Sequence, residues 1–289
     1  SRQFTSAKEA RSRRAKLWSL SNEPGFSSEI TFMNADPRCP YCEGTGWKQV
    51  VRDGVEAVER CSCLQGARQE ALLGKARIPE RFREASFDNF FPPSPRENPI
   101  ANEALTRVML TAKAFAREYS PSSAKSGLML QGPPGTGKTH LATAVLKELI
   151  ERGFECAFFD YQNLLDRIRQ SYNPAAGAAD KQAYGAALET DVILLDDLGS
   201  HRVTDWVEDT VTAIINHRYN ARKALIVTTN LPDPDLGDKI TEKDAVSGRY
   251  NVKDTLADRI GSRARSRLYE ICKVVQIHAK DYRLKDVGR

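Results

Sequence analysis

Short apolar runs alternate with longer amphipathic segments through the last two thirds of the chain. Leu128–Leu130, Cys156–Phe159, "VILLDD" from Val192, "ALIVTT" from Ala224 and "CKVVQIH" from Cys272 have the length and composition of buried strands. The segments between them carry apolar residues at helical spacing and predict helices at Thr139–Glu151, Leu164–Gln170 and around Trp206–Tyr219. A further helix is expected at Ile100–Tyr119, and another over "DRIGSRARSRLYE". Strand and helix in alternation predict an α/β fold, a five-stranded parallel sheet covered on both faces. Ligands of such sheets bind at the carboxyl ends of the strands.

Before that region the pattern changes. Residues 1–34 are basic and weakly patterned, and the expectation there is an arm that meets a partner. Residues 35–65 hold a cysteine cluster. Residues 66–99 read as a linker, whose "RIPERFREASFDNFFPPSPRENP" carries four phenylalanines expected to dock on the following domain, 100–289. No apolar run approaches the roughly 20 residues of a membrane span, and a cytoplasmic protein is expected. The net charge of +5 is unevenly placed. The stretch from Arg259 to the end has nine basic and three acidic side chains, so a polyanion partner is expected.

The first sheet strand runs into "GPPGTGKTH", with Gly132, Pro133, Pro134, Gly135, Thr136, Gly137, Lys138, Thr139 and His140. The spacing G-x-x-x-x-G-K-T, between a strand and a helix, is that of a phosphate-binding loop. Its glycines let backbone N–H groups converge on phosphate oxygens at the positive end of a helix. Lys138 is expected to reach the β and γ phosphates of ATP, and the Thr139 hydroxyl to bind Mg²⁺. "DVILLDDLGS" delivers Asp196 and Asp197 to the same sheet edge. Asp196 is expected to hold Mg²⁺ through water, and Asp197 to orient or deprotonate the attacking water. Asp197 is one methylene shorter than a glutamate, which suggests slow hydrolysis. "IVTTN" places Asn230 where a polar side chain can touch the γ-phosphate or the water.

"CPYCEGTGWKQVVRDGVEAVERCSC" reads C-x₂-C, eighteen residues, then C-x-C. Asp53-Gly54 is a strong hairpin turn signal that brings the second pair back to the first. Four thiolates, Cys39, Cys42, Cys61 and Cys63, suit a closed, structural Zn²⁺ site. Cys156 and Cys272 lie singly in apolar surroundings and read as core residues. Arg259, Arg263 and Arg267 recur every fourth residue, so one helix would stack them on one face. Like charges at that spacing repel, and something anionic is expected opposite them.

"GPPGTGKTH", "VILLDDLGS", "IVTTNLP" and "SRLYEICKVVQIHAKDYR" together resemble the AAA+ ATPases of the bacterial helicase-loader type, DnaC and DnaI, and their transposition-helper relatives of the IstB type. The resemblance covers roughly residues 100–289. It implies ATP binding, assembly through the ATPase domain and engagement of single-stranded DNA. It also implies that Arg267 or Arg263 reaches a neighbouring subunit's ATP as an arginine finger, with Arg259 supporting or facing DNA. Only eleven residues follow His278, so the helical lid of this class is expected to be absent or truncated, with Arg283 in place of its sensor arginine. Loader and initiator ATPases carry an extra helix between the second and third strands that meets single-stranded DNA. Arg167, Arg169 and Tyr172 offer charge and a stacking ring in that region. Relatives with an N-terminal zinc module use it to contact the replicative DNA helicase. The expectation is an ATP-dependent loader of that helicase onto single-stranded DNA. The rival readings are a transposition helper that recruits a transposase, and a nucleotide-gated adaptor with negligible turnover.

Overall fold

The structure is a computed structural model that describes residues 38–52, 55–123, 125–172, 178–243, 250–279 and 281. The basic arm at 1–34, the Asp53-Gly54 turn and Arg283 lie outside the described residues. The chain divides into two compact units, Ser1–Gln65 and Gly66–Arg289.

The smaller unit is a hairpin. Strand β1 (Trp47–Arg52) pairs antiparallel with β2 (Val55–Arg60), in a register that sets Trp47 opposite Arg60 and Arg52 opposite Val55. Helix α1 (Ser62–Lys75) follows.

The larger unit is a three-layered α/β structure. Helix α2 (Pro99–Glu118) begins on an Asn98 side chain that accepts the Ala101 N–H, an N-cap reinforced by a proline at the first helical position. The sheet strands are β3 (Gly127–Gln131), β4 (Cys156–Asp160), β5 (Val192–Asp196), β6 (Ala224–Thr229) and β9 (Cys272–Gln276). They run parallel in the order β4-β5-β6-β3-β9. The intervening helices are α3 (Lys138–Glu151), α4 (Tyr161–Ser171), α5 (Ala178–Glu189) and α6 (Asp205–Asn220). Side chains alternate between two cores. Leu128, Leu130, Phe158 and Leu194 face α2 and α3; Met129, Phe159, Leu195 and Val227 face α4, α6 and the helices beyond. Strands buried on both faces explain why these segments read as unbroken apolar runs.

Three features differ from the sequence reading. The 66–99 segment packs as part of this unit. Phe82, Phe87 and Phe90 join the α2/α3 core as expected, whereas Phe91 is exposed. The loop after β6 contains a small antiparallel pair, β7 (Thr241–Lys243) and β8 (Tyr250–Val252). The arginine-rich segment is two helices, α7 (Leu256–Ile260) and α8 (Ser262–Ile271), broken at Gly261. Gly261 has φ +82° and ψ 149°, and a β-carbon there would lie 2.3 Å from Glu208 Oε1. Only glycine fits such a corner. Among the described residues no helix follows β9, and none is long and apolar enough to cross a membrane.

Candidate nucleotide site and cysteine cluster

The phosphate loop spans from the end of β3 to the start of α3. Gly137 caps α3 at φ +86°, with the Phe90 ring so close that a β-carbon would lie 2.6 Å from it. A side chain at Gly132 would meet the Ile277 carbonyl. The loop therefore needs glycine at both ends, for close approach as well as for conformation. Lys138 is buried and folds back on the loop, donating to the carbonyls of Gly132 at 2.9 Å and Pro133 at 2.7 Å. The Thr136 hydroxyl also donates to the Pro133 carbonyl.

Asp196 and Asp197 arrive at the end of β5, as expected. Asp196 is buried and accepts from the hydroxyls of Thr228, at 2.7 Å, and Thr139. Burial pushes its pKa up, the two hydroxyls oppose that, and the charges of Asp197 and Asp160 add to it. Asp160 is held beside Asp196 by the β4–β5 register and caps α4 through the Asn163 N–H. Asp197 stands at φ +58°, a left-handed conformation that aspartate tolerates better than longer side chains. This supplies a conformational reason for aspartate at this position. Its N–H donates to Thr228 Oγ1 at 2.9 Å, and its carboxylate accepts from the Asn230 amide at 2.5 Å. Burial pushes Asp197 up as well, against the charge of Lys138. Lys138, Thr139, Asp196, Asp197 and Asn230 thus converge on one end of the sheet.

Sequence reasoning overlooked Thr228 as the hydroxyl that ties both acids together. It also placed His140 with the nucleotide ligands. In the structure the His140 ring bonds the Ser86 carbonyl at 2.8 Å and packs on Phe90. It braces the 66–99 segment against α3.

The arginines separate. Arg259 lies on α7, not stacked with the others. It pairs with Asp254 at 2.6 Å and donates to the His201 carbonyl. Arg267, on α8, lies over the Tyr219 ring at 5.0 Å. Arg263, at the start of α8, is exposed and makes no hydrogen bond, ion pair or ring contact among the described residues. Of the residues expected to meet DNA, Arg167 is half-buried on α4. Arg169 sits 4.6 Å from the centre of the Trp206 ring, and Tyr172, just beyond α4, is exposed.

In the smaller unit the four cysteine sulfurs lie within 4.8 Å of one another, Cys39 to Cys61 at 3.6 Å and Cys42 to Cys63 at 3.4 Å. Sulfurs about 2.3 Å from a tetrahedral zinc ion would be separated by about 3.8 Å. The donor set therefore fits zinc, with no fifth protein ligand needed. Cys39 is lowered to about 7, chiefly by the Tyr41 backbone N–H, with burial opposing and Cys42 and Cys61 assisting. That environment favours the thiolate that a metal requires.

Residues 120–288 match the family described as IstB-like ATP binding protein. The chain belongs to that family. The IstB-like chain is also 25% identical over 242 residues to the phage-like element PBSX protein XkdC of Bacillus subtilis, covering 81% of this chain and 79% of that protein. It is 22% identical to a replicative helicase loader DnaC of Buchnera aphidicola, covering 57% of this chain and 63% of that protein. A solved structure of the DnaC helicase loader is 30% identical and superposes with a TM-score of 0.53 over 69% of this chain and the whole of that one. The IstB-like chain therefore has the AAA+ P-loop architecture and belongs among ATP-binding proteins related to helicase loaders. Two helices, α4 and α5, lie between the second and third sheet strands in chain order, and Arg167 and Arg169 are on α4.

Proposed function

We propose that this protein is an ATPase that loads a hexameric replicative helicase onto single-stranded DNA. The observation that carries the reading is the convergence of Lys138, Thr139, Asp196, Asp197 and Asn230 on one sheet edge, while Arg263, without a partner among the described residues, stands at the surface of α8. Such a site is completed by a second subunit. Similarity to helicase loaders supports the choice of reaction and partner.

Lys138 exchanges the carbonyls of Gly132 and Pro133 for the β and γ phosphates when ATP enters. The loop N–H groups from Gly135 to Thr139 bind the remaining oxygens. Thr139 and Asp196 would hold a magnesium ion, which would supply charge neutralisation at the phosphate oxygens. Asp197 takes the proton of the attacking water or orients it, and Asn230 holds the Asp197 carboxylate in place. Arg263 or Arg267 of one subunit stabilises charge on the γ-phosphate in the next. The absence of side-chain partners favours Arg263, because Arg267 already rests on Tyr219. Zinc on Cys39, Cys42, Cys61 and Cys63 holds the hairpin. Its exposed Trp47, Val51 and Val58 lie on one face by the strand register and offer the helicase an apolar surface.

Hydrolysis measured with and without single-stranded DNA and helicase tests this reading. Stimulation by both is expected, and no turnover under any condition would favour a nucleotide-gated adaptor instead. The family name keeps a second reading, a transposition helper. Pull-down with ATP present should retain a helicase, and retention of a transposase would overturn the loader assignment.

A further inference from the structure

Between the two surface arginines of α8 sits a third, Arg265, whose environment is the opposite of theirs. It grips the buried Asp233 with both ends of its guanidinium, Nε to Oδ2 and Nη2 to Oδ1, each at 2.6 Å. The same Nη2 reaches Asp235 at 2.7 Å, and the Tyr269 hydroxyl donates to Asp233 Oδ2 at 2.5 Å. Two-ended pairing of this kind fixes orientation as well as distance. On a helix, residues 263 and 267 share a face and residue 265 points about 160° away from each. Pinning Arg265 inward therefore sets the direction in which Arg263 and Arg267 leave the helix.

The other end of this clasp is anchored at the nucleotide site. The Asp233 N–H donates to Asp238 Oδ2 at 2.8 Å. Gln131, the residue before the phosphate loop, donates from Nε2 to that same oxygen at 3.0 Å and to the Leu231 carbonyl at 2.9 Å. Leu231 follows Asn230. The chain of bonds thus runs from the root of the phosphate loop, through the loop that carries Asn230, to the helix that carries the surface arginines. A 220 Å³ cavity beside the phosphate loop is lined by Gln131, Asn230, Asp238 and Gln276.

We propose that Arg265 is a positioning residue: the Asp233–Arg265–Tyr269 clasp aims the trans-acting arginine of one subunit at its neighbour's ATP, in register with the subunit's own phosphate loop. This rests on the trans-acting reading above. Arg265 touches no nucleotide itself. Its loss acts on the site next door and leaves the subunit's own site competent.

The test is subunit mixing with the full chain, ATP and single-stranded DNA. Arg265→Gln alone should bind ATP within about twofold of wild type and lose at least about tenfold in hydrolysis. Mixed in equal parts with Asp197→Asn subunits, it should recover to about half the rate of wild type mixed the same way, because each working site then needs an Asp197→Asn neighbour. The recovering site has its own Asp197 and receives a correctly aimed arginine from the Asp197→Asn neighbour. The Asp233→Asn/Arg265→Gln pair, which leaves no buried unpaired charge, should behave the same and guards against misfolding of the single variant. Full hydrolysis by the unmixed variants, or no recovery on mixing, would overturn the proposal, since a residue that merely holds its own site together is not rescued by a neighbour. Arg263→Ala and Arg267→Ala assemblies that both hydrolyse at the wild-type rate would instead overturn the trans-acting reading itself.

Discussion

The two units of this chain solve the problem of staying folded by different means. In the larger one, a sheet buried on both faces carries two continuous aliphatic cores. In the smaller one, the buried cluster among the described residues is the cysteines themselves, while Val51, Val55 and Val58 lie exposed. A two-stranded hairpin without a core is marginal in water. On the proposed zinc reading a metal does there the work that burial does elsewhere, and leaves those apolar side chains free to meet a partner. The contrast teaches where function can be separated from stability. A surface made free of folding duty can be given to recognition, whereas the nucleotide site must share its residues with the core.

Removing the metal should break this contrast most sharply. Binding of structural zinc by small modules is worth about 10–16 kcal/mol, far more than a hairpin can replace. Chelation, or Cys61→Ser, should unfold the hairpin while nucleotide binding by Gly66–Arg289 remains. Limited proteolysis and metal analysis alongside ATP binding measure both halves. Metal content near zero in protein prepared under reducing, chelator-free conditions would refute the zinc assignment.

The next effect belongs to the larger unit. Asp233→Asn leaves Arg265 facing a neutral amide and Tyr269 without its carboxylate, a loss of roughly 3 kcal/mol by analogy with other broken buried pairs. Zinc content should not change. The pH dependence has a definite sign. Burial would raise Asp233, but hydrogen bonds from Arg265 and Tyr269 and the Arg265 charge hold it below the ordinary carboxylate value. A depressed acid contributes stability that is present above its unfolded pKa, about 3.9, and lost as pH falls through its folded value. Wild type should thus lose stability in that acidic window and the Asn variant should lose less. Parallel acid denaturation curves for the two would remove the clasp from the account of stability.

How much of this was legible beforehand depends on how local each signal is. The phosphate loop, Asp196, Asp197 and the cysteine pairs are short patterns whose chemistry is carried by neighbours in sequence, and the structure brings them together where expected. The five strands were legible because both-face burial writes itself as an apolar run. The partner of the His140 ring was hidden because Ser86 lies 54 residues away. The same reason hid the Arg265–Asp233 pair, since nothing in "LPDPDLGD" marks one aspartate as the buried one. A single glycine in a helical pattern is usually tolerated. The break at Gly261 lies in its backbone, at φ +82° and ψ 149°, a conformation open to glycine, and with it the expected stack of three arginines dissolved.

Lys138→Ala sharpens the comparison from the side of function. Its hydrogen bonds in this structure go to loop carbonyls, and in the proposed complex they go to phosphate. Losing charge-assisted bonds of about 1.5–3 kcal/mol should weaken ATP binding by roughly ten- to a hundredfold. The melting of both units should stay near wild type. Unchanged nucleotide affinity, measured by titration calorimetry, would remove Lys138 from the phosphate site.

The smallest expected effect tests whether the larger unit also keeps a surface free for recognition. Arg169 and Tyr172 lie at the end of α4, and stacking on an exposed ring contributes about 1–3 kcal/mol per base in single-strand binding. Tyr172 is 67% exposed and available for it. Arg169 is exposed too, but its guanidinium already lies on Trp206, so its gain on meeting a phosphate is set against the contact it gives up. Tyr172→Ala should therefore weaken binding of a short oligonucleotide more than Arg169→Ala, by up to about tenfold. Only the Arg169 change should lower the slope of affinity against salt, by about one counterion. Fluorescence anisotropy at several salt concentrations separates the two. Wild-type affinity in both variants would move the DNA surface away from α4, and the exposed start of α8, with Arg263, would be the next place to look.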